Sequence, residues 1–476
     1  MSALTVTTSD LLRPSPADQG VDVTEPRALR APSPRDGVPV DWSHAPLAPH
    51  LLPESSKVDP SGRLSIGGVD VLTVTEAVGT PVFVYDEQHL RSRCQEARHA
   101  FGDGVAYASK AFLCRAMAAL AHEEGMMLDV ASGGELYVAL RSGVLPERLV
   151  FHGNNKSSDE LALALLVGVG RIVVDSFDEI ERLERLVGRG ERSARPHVLI
   201  RVNPGTDVCT HPSLATGQDD SKFGFSLASG AVAEAVARLS RCPSPVDLVG
   251  LHTHIGSQIV DLAAINRTIY AMAPILRRTG LSELCVGGGL GVTYTGSAEP
   301  APSLTDWAMA IHQACQGAGI PETVRITAEP GRAIAAAAAI TCYTVGTIKS
   351  VPPASEGNHR TYVSVDGGMS DNLRPALYDS AYEAFLPRQT RAPRPLEVAV
   401  AGKHCESGDI LVRNGRLPDD TRVGDVLAIP MTGAYGYAMA SNYNKVARPP
   451  VVFVRDGRYR VVTRRETYED LVRLDA

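Results

Sequence analysis

Between residues 106 and 331, short apolar runs alternate with longer stretches in which apolar side chains recur every third or fourth position. The runs are AYASK (106–110), MLDVAS (127–132), LVFHG (149–153), RIVVDS (171–176), VLIRVN (198–203), LVGLHTHIG (248–256), LCVGGG (284–289) and VRITAEPG (324–331). The intervening stretches 114–125, 134–142, 158–168, 176–186 and 231–239 have the spacing of amphipathic helices. Strand–helix alternation implies a parallel sheet, and eight such units over roughly 250 residues match a closed β/α barrel. An open doubly wound sheet is the rival. The count of eight, and the reactive residues at most strand ends, favour the barrel, which builds its sites at that face.

After about residue 340 the pattern changes. TYVSVDGG (361–368), LEVAVAG (396–402), GDVLAIP (424–430) and VVFVRDGRYRVV (451–462) read as strands without helical crossovers, with Asp456-Gly457 as a hairpin turn. The expected fold class is α/β: an eight-stranded parallel β/α (TIM-like) barrel at 85–340, then a C-terminal all-β domain at 341–476. A strand near 64–71, within a segment at 61–84, is expected to join the β domain. Residues 1–60, rich in Pro, Ser and Asp without apolar periodicity, read as a disordered or loosely attached tail, either dispensable or a partner-binding arm.

Composition narrows the class. Of 476 residues, 44% are hydrophobic and 21% charged, as in ordinary globular proteins of two to four domains. A formal charge of −7 argues against a nucleic-acid binder. The eight cysteines include no CxxC pair, which favours free thiols in a reducing compartment. The opening MSALTVTTSDLLRP lacks a basic and apolar signal pattern, and the alanine run at 333–340 is too short to span a bilayer. A cytoplasmic protein that engages no membrane is expected.

Candidate chemistry lies at the strand ends. Lys110 closes the first run, where an amine can form a Schiff base with an aldehyde, and Glu329 closes the last, where a carboxylate can hold a pyridine nitrogen. The pair points to pyridoxal phosphate. Gly287–Gly289 and Gly331-Arg332 follow the seventh and eighth runs, where barrels commonly bind phosphate, and Arg332 adds a bidentate anion donor. Valine in the last place of 287–292 breaks the GxGxxG dinucleotide pattern. His252 and His254 share a strand face and could suggest a metal pair. The other strand ends offer few further ligands, so no metal is expected; ring stacking by His254, with Ser257 on the phosphate, is more economical. Asp129 is placed near the lysine and ring. In His404-Cys405-Glu406-Ser407-Gly408-Asp409, the Cys405 thiol suits proton donation to a carbanion.

These residues together resemble the diaminopimelate decarboxylases, in the alanine-racemase-like class of barrel enzymes. The resemblance runs from about residue 64 to the end. It rests on YASKAF, LDVASGGEL, FHGNNKS, HTHIGSQ, GGGLG, AEPGR, VDGGMSDNLRPALY, KHCESGD, TGAYGYAMASNYN and RRETYEDL. It implies pyridoxal 5'-phosphate bound by Lys110, Asp129, His254, Ser257, Gly289, Glu329, Pro330, Gly331, Arg332 and Tyr435, with Lys110 and Cys405 catalytic. It also implies a head-to-tail homodimer in which Cys405 and Glu406 complete the neighbour's site.

The implied reaction is decarboxylation of meso-2,6-diaminopimelate to L-lysine. The distal end of that substrate is itself an amino acid. Arg332 and Arg374 can clamp its carboxylate, Tyr378 and Tyr435 add hydroxyls, and Glu406 accepts its ammonium. Two alternatives stay open: a decarboxylase of another or a carrier-bound amino acid, and a cofactor-binding protein without catalysis. The polar segment 210–221 is expected to be a lid or substrate-facing loop.

Overall fold

The computed structural model describes residues 47–188, 195–205, 221–241, 244, 246–254, 256–296, 298, 300–352 and 360–476. The tail 1–46 and nearly all of the expected lid at 210–221 lie outside the described residues. The chain divides into two compact units. The first holds the described parts of 93–291 and 302–333; the second holds those of 47–92, 292–301 and 334–476.

The first unit is the barrel. Its strands are β1 (Ala106–Ala108), β2 (Met127–Val130), β3 (Leu149–Phe151), β4 (Arg171–Val174), β5 (His197–Asn203), β6 (Asp247–Thr253), β7 (Glu283–Cys285) and β8 (Arg325–Thr327). Each pairs in parallel with its sequence neighbour, and Phe225–Ser226 adds a short parallel pairing to β5. Two bonds join the ends: Ala106 N–H donates to Ala328 O at 3.0 Å and Ala108 N–H to Pro330 O at 3.2 Å. That closure excludes the open sheet.

The helices follow the apolar spacing closely. Arg115–Glu123, Gly133–Arg141, Ser158–Val167, Phe177–Gly188 and Ala231–Leu239 fall on the five expected stretches. Ser132 and Ser157 cap the second and third of these, accepting from Glu135 N–H and Glu160 N–H, so each turn out of a strand has a defined helix start.

Inside the ring, Ala106, Met127, Val150, Val173, Leu199 and Cys285, with Val249 against them, form one apolar layer contributed by seven strands. Such a layer is a packed core rather than a pore.

The second unit is mostly sheet. Its eight strands run Ile410–Leu417, Leu396–Ala401, Arg360–Val365, Ala339–Val351, Val82–Asp86, Val451–Arg455 and Arg458–Thr463, with Val426–Pro430 paired to Ala339–Val351. The hairpin turn falls on Asp456 (φ 51°) and Gly457 (φ 72°), the left-handed pair a type I′ turn requires.

Three features depart from expectation. The strand that joins this sheet from the N-terminal side is Val82–Asp86, not 64–71; all five of its residues are buried, so it lacks the alternation that marks a half-exposed strand. Leu64–Ile66 instead belongs to a separate three-stranded sheet with Lys57–Val58 and Val69–Asp70. The described end of the expected tail is packed, with Leu47, Leu51, Leu52 and Val58 all buried.

Candidate active site

Side chains alternate across a strand, so the residue two places beyond each apolar layer position also faces the barrel interior. Counting on from Met127, Val150, Val173 and Leu199 gives Asp129, His152, Asp175 and Arg201, and from Thr327 on β8 gives Glu329. On β6, His252 sits level with Arg201. All six are buried. A ring of charged and imidazole groups thus lies directly above the hydrocarbon layer, at the carboxyl ends of the strands. Burying charges is costly unless they are paired, which marks this layer as the working end.

Glu329 is its centre. His252 Nε2 donates to Oε2 at 2.9 Å, and His152 Nε2 lies 2.9 Å from Oε1. The two imidazoles meet edge to face, with centroids 4.9 Å apart. Burial alone would raise the Glu329 carboxyl, but attraction to His152 and His252 outweighs it and holds the group well below the ordinary carboxylate range. Asp129, 3.6 Å from His152, moves the other way: burial raises it, and the partial relief from His152 and Lys110 does not restore it.

Lys110 stands in a single 3₁₀ turn, Ser109–Ala111, just beyond β1 rather than within it, and its side chain is exposed. Its charge is felt at Asp129 and at His254, which puts amine and carboxylates at one end of the barrel. His254 is held well below its usual value by burial and by the positive charges of Lys110 and Arg201, so its ring is neutral; its Nδ1 accepts from Gly288 N–H at 3.1 Å.

The loops after β7 and β8 fit closely. Gly289 has φ +107°, and a Cβ there would stand 2.4 Å from Gly256 O. A Cβ on Gly331 would come within 2.9 Å of Ala108 Cβ and 3.0 Å of Ala111 Cβ, so this glycine lets the β8 loop lie against the lysine-bearing turn. Arg332, buried beside it, donates from Nη2 to Ser257 Oγ at 2.7 Å, bringing together two groups suited to an anion. Pro330 anchors the loop through its bond from Ala108.

The remaining expected residues belong to the second unit. Arg374 is buried, donates from Nη1 to Tyr382 Oη, and lies 4.5 Å from the Tyr294 ring centroid and 5.7 Å from that of Tyr382. Tyr378 and Tyr435 are half-buried, Tyr435 with φ +60°. Cys405 and Glu406 are exposed on a loop pinned by its neighbours: Asp409 accepts from His404 N–H at 2.9 Å and Met369 N–H at 2.7 Å. Tyr443 Oη donates to Glu406.

Sequence reasoning overlooked His152 and Arg201 as site residues, although both stand in quoted runs. Counting in twos along each strand would have found them. It also judged further metal ligands to be few at the strand ends, whereas β3 delivers His152 to within 4.8 Å of His252 and Glu329, giving two imidazoles and a carboxylate together.

Residues 87–336 match the family model described as pyridoxal-dependent decarboxylase, pyridoxal binding domain. The chain is 44% identical over 445 residues to the diaminopimelate decarboxylase of Mycobacterium tuberculosis, covering 90% of this chain and 98% of that one. The chain belongs to the diaminopimelate decarboxylase family. The diaminopimelate decarboxylase of Bacillus subtilis is likewise 44% identical, over 89% of this chain and 98% of its own. The crystal structure of diaminopimelate decarboxylase from M. jannaschii in complex with L-lysine superposes with a TM-score of 0.80 at 31% identity, covering 89% of this chain and 98% of that one.

Proposed function

We propose that the chain binds pyridoxal 5'-phosphate at the barrel mouth and decarboxylates meso-2,6-diaminopimelate to L-lysine and carbon dioxide. The observation that carries this reading is a buried carboxylate, Glu329, kept ionised on the same barrel end as an accessible lysine. The residues fit the cofactor's three parts. Lys110 would hold its aldehyde carbon, and Glu329 its ring nitrogen, with Asp129 beside the lysine. The flat, neutral His254 would stack on its ring. Ser257, Gly289, Gly331 and Arg332, shaped by Pro330 and joined by Tyr435, would hold its phosphate. When bound, the cofactor supplies an electron sink for the carbanion left by loss of carbon dioxide.

The protein's own groups do the rest. Arg374, locked against Tyr294 and Tyr382, presents a fixed guanidinium for the distal carboxylate, with Arg332, Tyr378 and Tyr435 in support. Glu406 accepts the distal ammonium. Cys405 Sγ carries a transferable proton and can deliver it to the α-carbon. The exposure of Cys405 and Glu406 supports a head-to-tail homodimer in which each copy's loop completes the other's site. The scattered cysteines, with no CxxC pair, support a reducing, cytoplasmic setting; among the described residues no helix is long and apolar enough to cross a membrane.

Purified protein given pyridoxal phosphate should release carbon dioxide from meso-diaminopimelate, and Lys110→Ala should not. Turnover confined to ornithine, arginine or lysine in the same panel would refute the substrate.

A further inference from the structure

Each oxygen of Glu329 meets a different imidazole, and the proposed reaction leaves both rings without a task. His252, on β6, and His152, just past β3, are buried, and each brings Nε2 to 2.9 Å from the carboxylate. A carboxylate only accepts, so His252 Nε2 must carry the hydrogen; its Nδ1 is buried and makes no hydrogen bond. The ring is therefore a neutral donor. Burial fits this, lowering the His252 pKa to about 4 despite the pull of Glu329.

The charge state matters. An imidazolium would cancel the carboxylate and compete with any cation brought to it. A neutral N–H stabilises the negative charge as a dipole and leaves the net charge in place. Other titratable groups acting on Glu329 are Asp129, Arg201, His254 and Cys285. In the described structure His252 Nε2 donates to one oxygen of this carboxylate, and His152 Nε2 lies 2.9 Å from the other as an ion-pair contact.

We propose that His152 and His252 are positioning residues that hold Glu329 in place as an ionised carboxylate for the cofactor's ring nitrogen. This rests on the pyridoxal reading above and goes beyond it, because it assigns the protonation of that nitrogen to a three-residue unit drawn from β3, β6 and β8. The same three groups are also a zinc-type donor set. The hydrogen bond between His252 and Glu329 favours the positioning role, since a metal would need both atoms turned toward itself.

The test is a titration of cofactor-free wild type, His152→Leu, His252→Leu and His252→Gln with pyridoxal phosphate, following affinity and the pH midpoint of the visible absorption band. Circular dichroism confirms that each variant is folded. His252→Leu should bind about tenfold to a hundredfold more weakly, the size expected for losing a hydrogen bond to a buried charge, and His152→Leu, which loses the 2.9 Å contact with the other oxygen, should also bind more weakly. The midpoint of each should fall to lower pH. His252→Gln, which keeps an N–H donor, should recover most of both. Leucine variants with wild-type affinity and midpoint would overturn the assignment. So would one equivalent of zinc on cofactor-free wild type that is lost in both leucine variants. Wild-type protein that takes up no cofactor at any pH would overturn the pyridoxal reading as well, which separates the two failures.

Discussion

At the scale of single residues, the decisive feature is how many charges this barrel buries and how each is held. Lys156 Nζ contacts Glu179 at 2.8 Å and donates to Gly153 O and Val173 O, with both side chains almost wholly buried. Glu179 in turn accepts from Asp175 N–H at 3.0 Å, and Asp175 lies 3.6 Å from Arg201. This chain of pairs leads to the floor of the site. Removing one member strands a charge, so Lys156→Met should cost about 3–5 kcal/mol, while the double variant with Glu179→Leu should recover much of it. Calorimetric unfolding of the three proteins checks this. Asp371, in the second unit, behaves differently. Burial, reinforced by Asp409 and Asp366, raises its pKa to about 7 despite hydrogen bonds from Tyr343 and Gly368. An unfolded aspartate titrates near ~3.9. Between those values the native state binds a proton that the unfolded state does not, so this group's contribution to stability falls as pH rises from about 4 to about 7. In Asp371→Asn that slope should disappear from a plot of Tm against pH.

At the scale of elements, strand and helix existence was legible because periodicity and length carry it. The five helices and eight barrel strands fall within a few residues of their expected places. The strand ends were less legible. Lys110 lies in a turn after β1, because the backbone must leave the ring there to approach Gly331. Gly331→Ala should push that turn outward by crowding Ala108 and Ala111. We expect weaker cofactor binding with a cost of about 1–3 kcal/mol in stability, typical of overpacking, measured by cofactor titration and thermal unfolding. The strand Val82–Asp86 was not among the expected strands because full burial erases alternation, and only its pairing with Ala339–Val351 and Val451–Arg455 reveals its sheet.

At the scale of the whole molecule, the expected site residues divide between the two units. The lysine, Glu329 and the phosphate loops belong to the first; Arg374, Tyr378, Cys405, Glu406 and Tyr435 belong to the second. The shared-site homodimer we propose makes this division testable. Lys110→Ala and Cys405→Ala should each be inactive alone. Mixed and allowed to exchange subunits, they should regain about a quarter of wild-type turnover, since half the dimers are hybrids with one intact site of two. No recovery from verified hybrids would place Cys405 in its own chain's site.

The sequence by itself determined the class of fold and the family, because a repeated β/α period and ordered motifs are local patterns written along the chain. Tertiary structure decided which of those residues meet. Barrel closure sets β8 beside β1, bringing the Gly331 loop against the Lys110 turn across more than two hundred positions of sequence. It also carries His152 and His252 to opposite oxygens of Glu329. No local pattern encodes that encounter, because it depends on the register of strands that become neighbours only once the ring has formed.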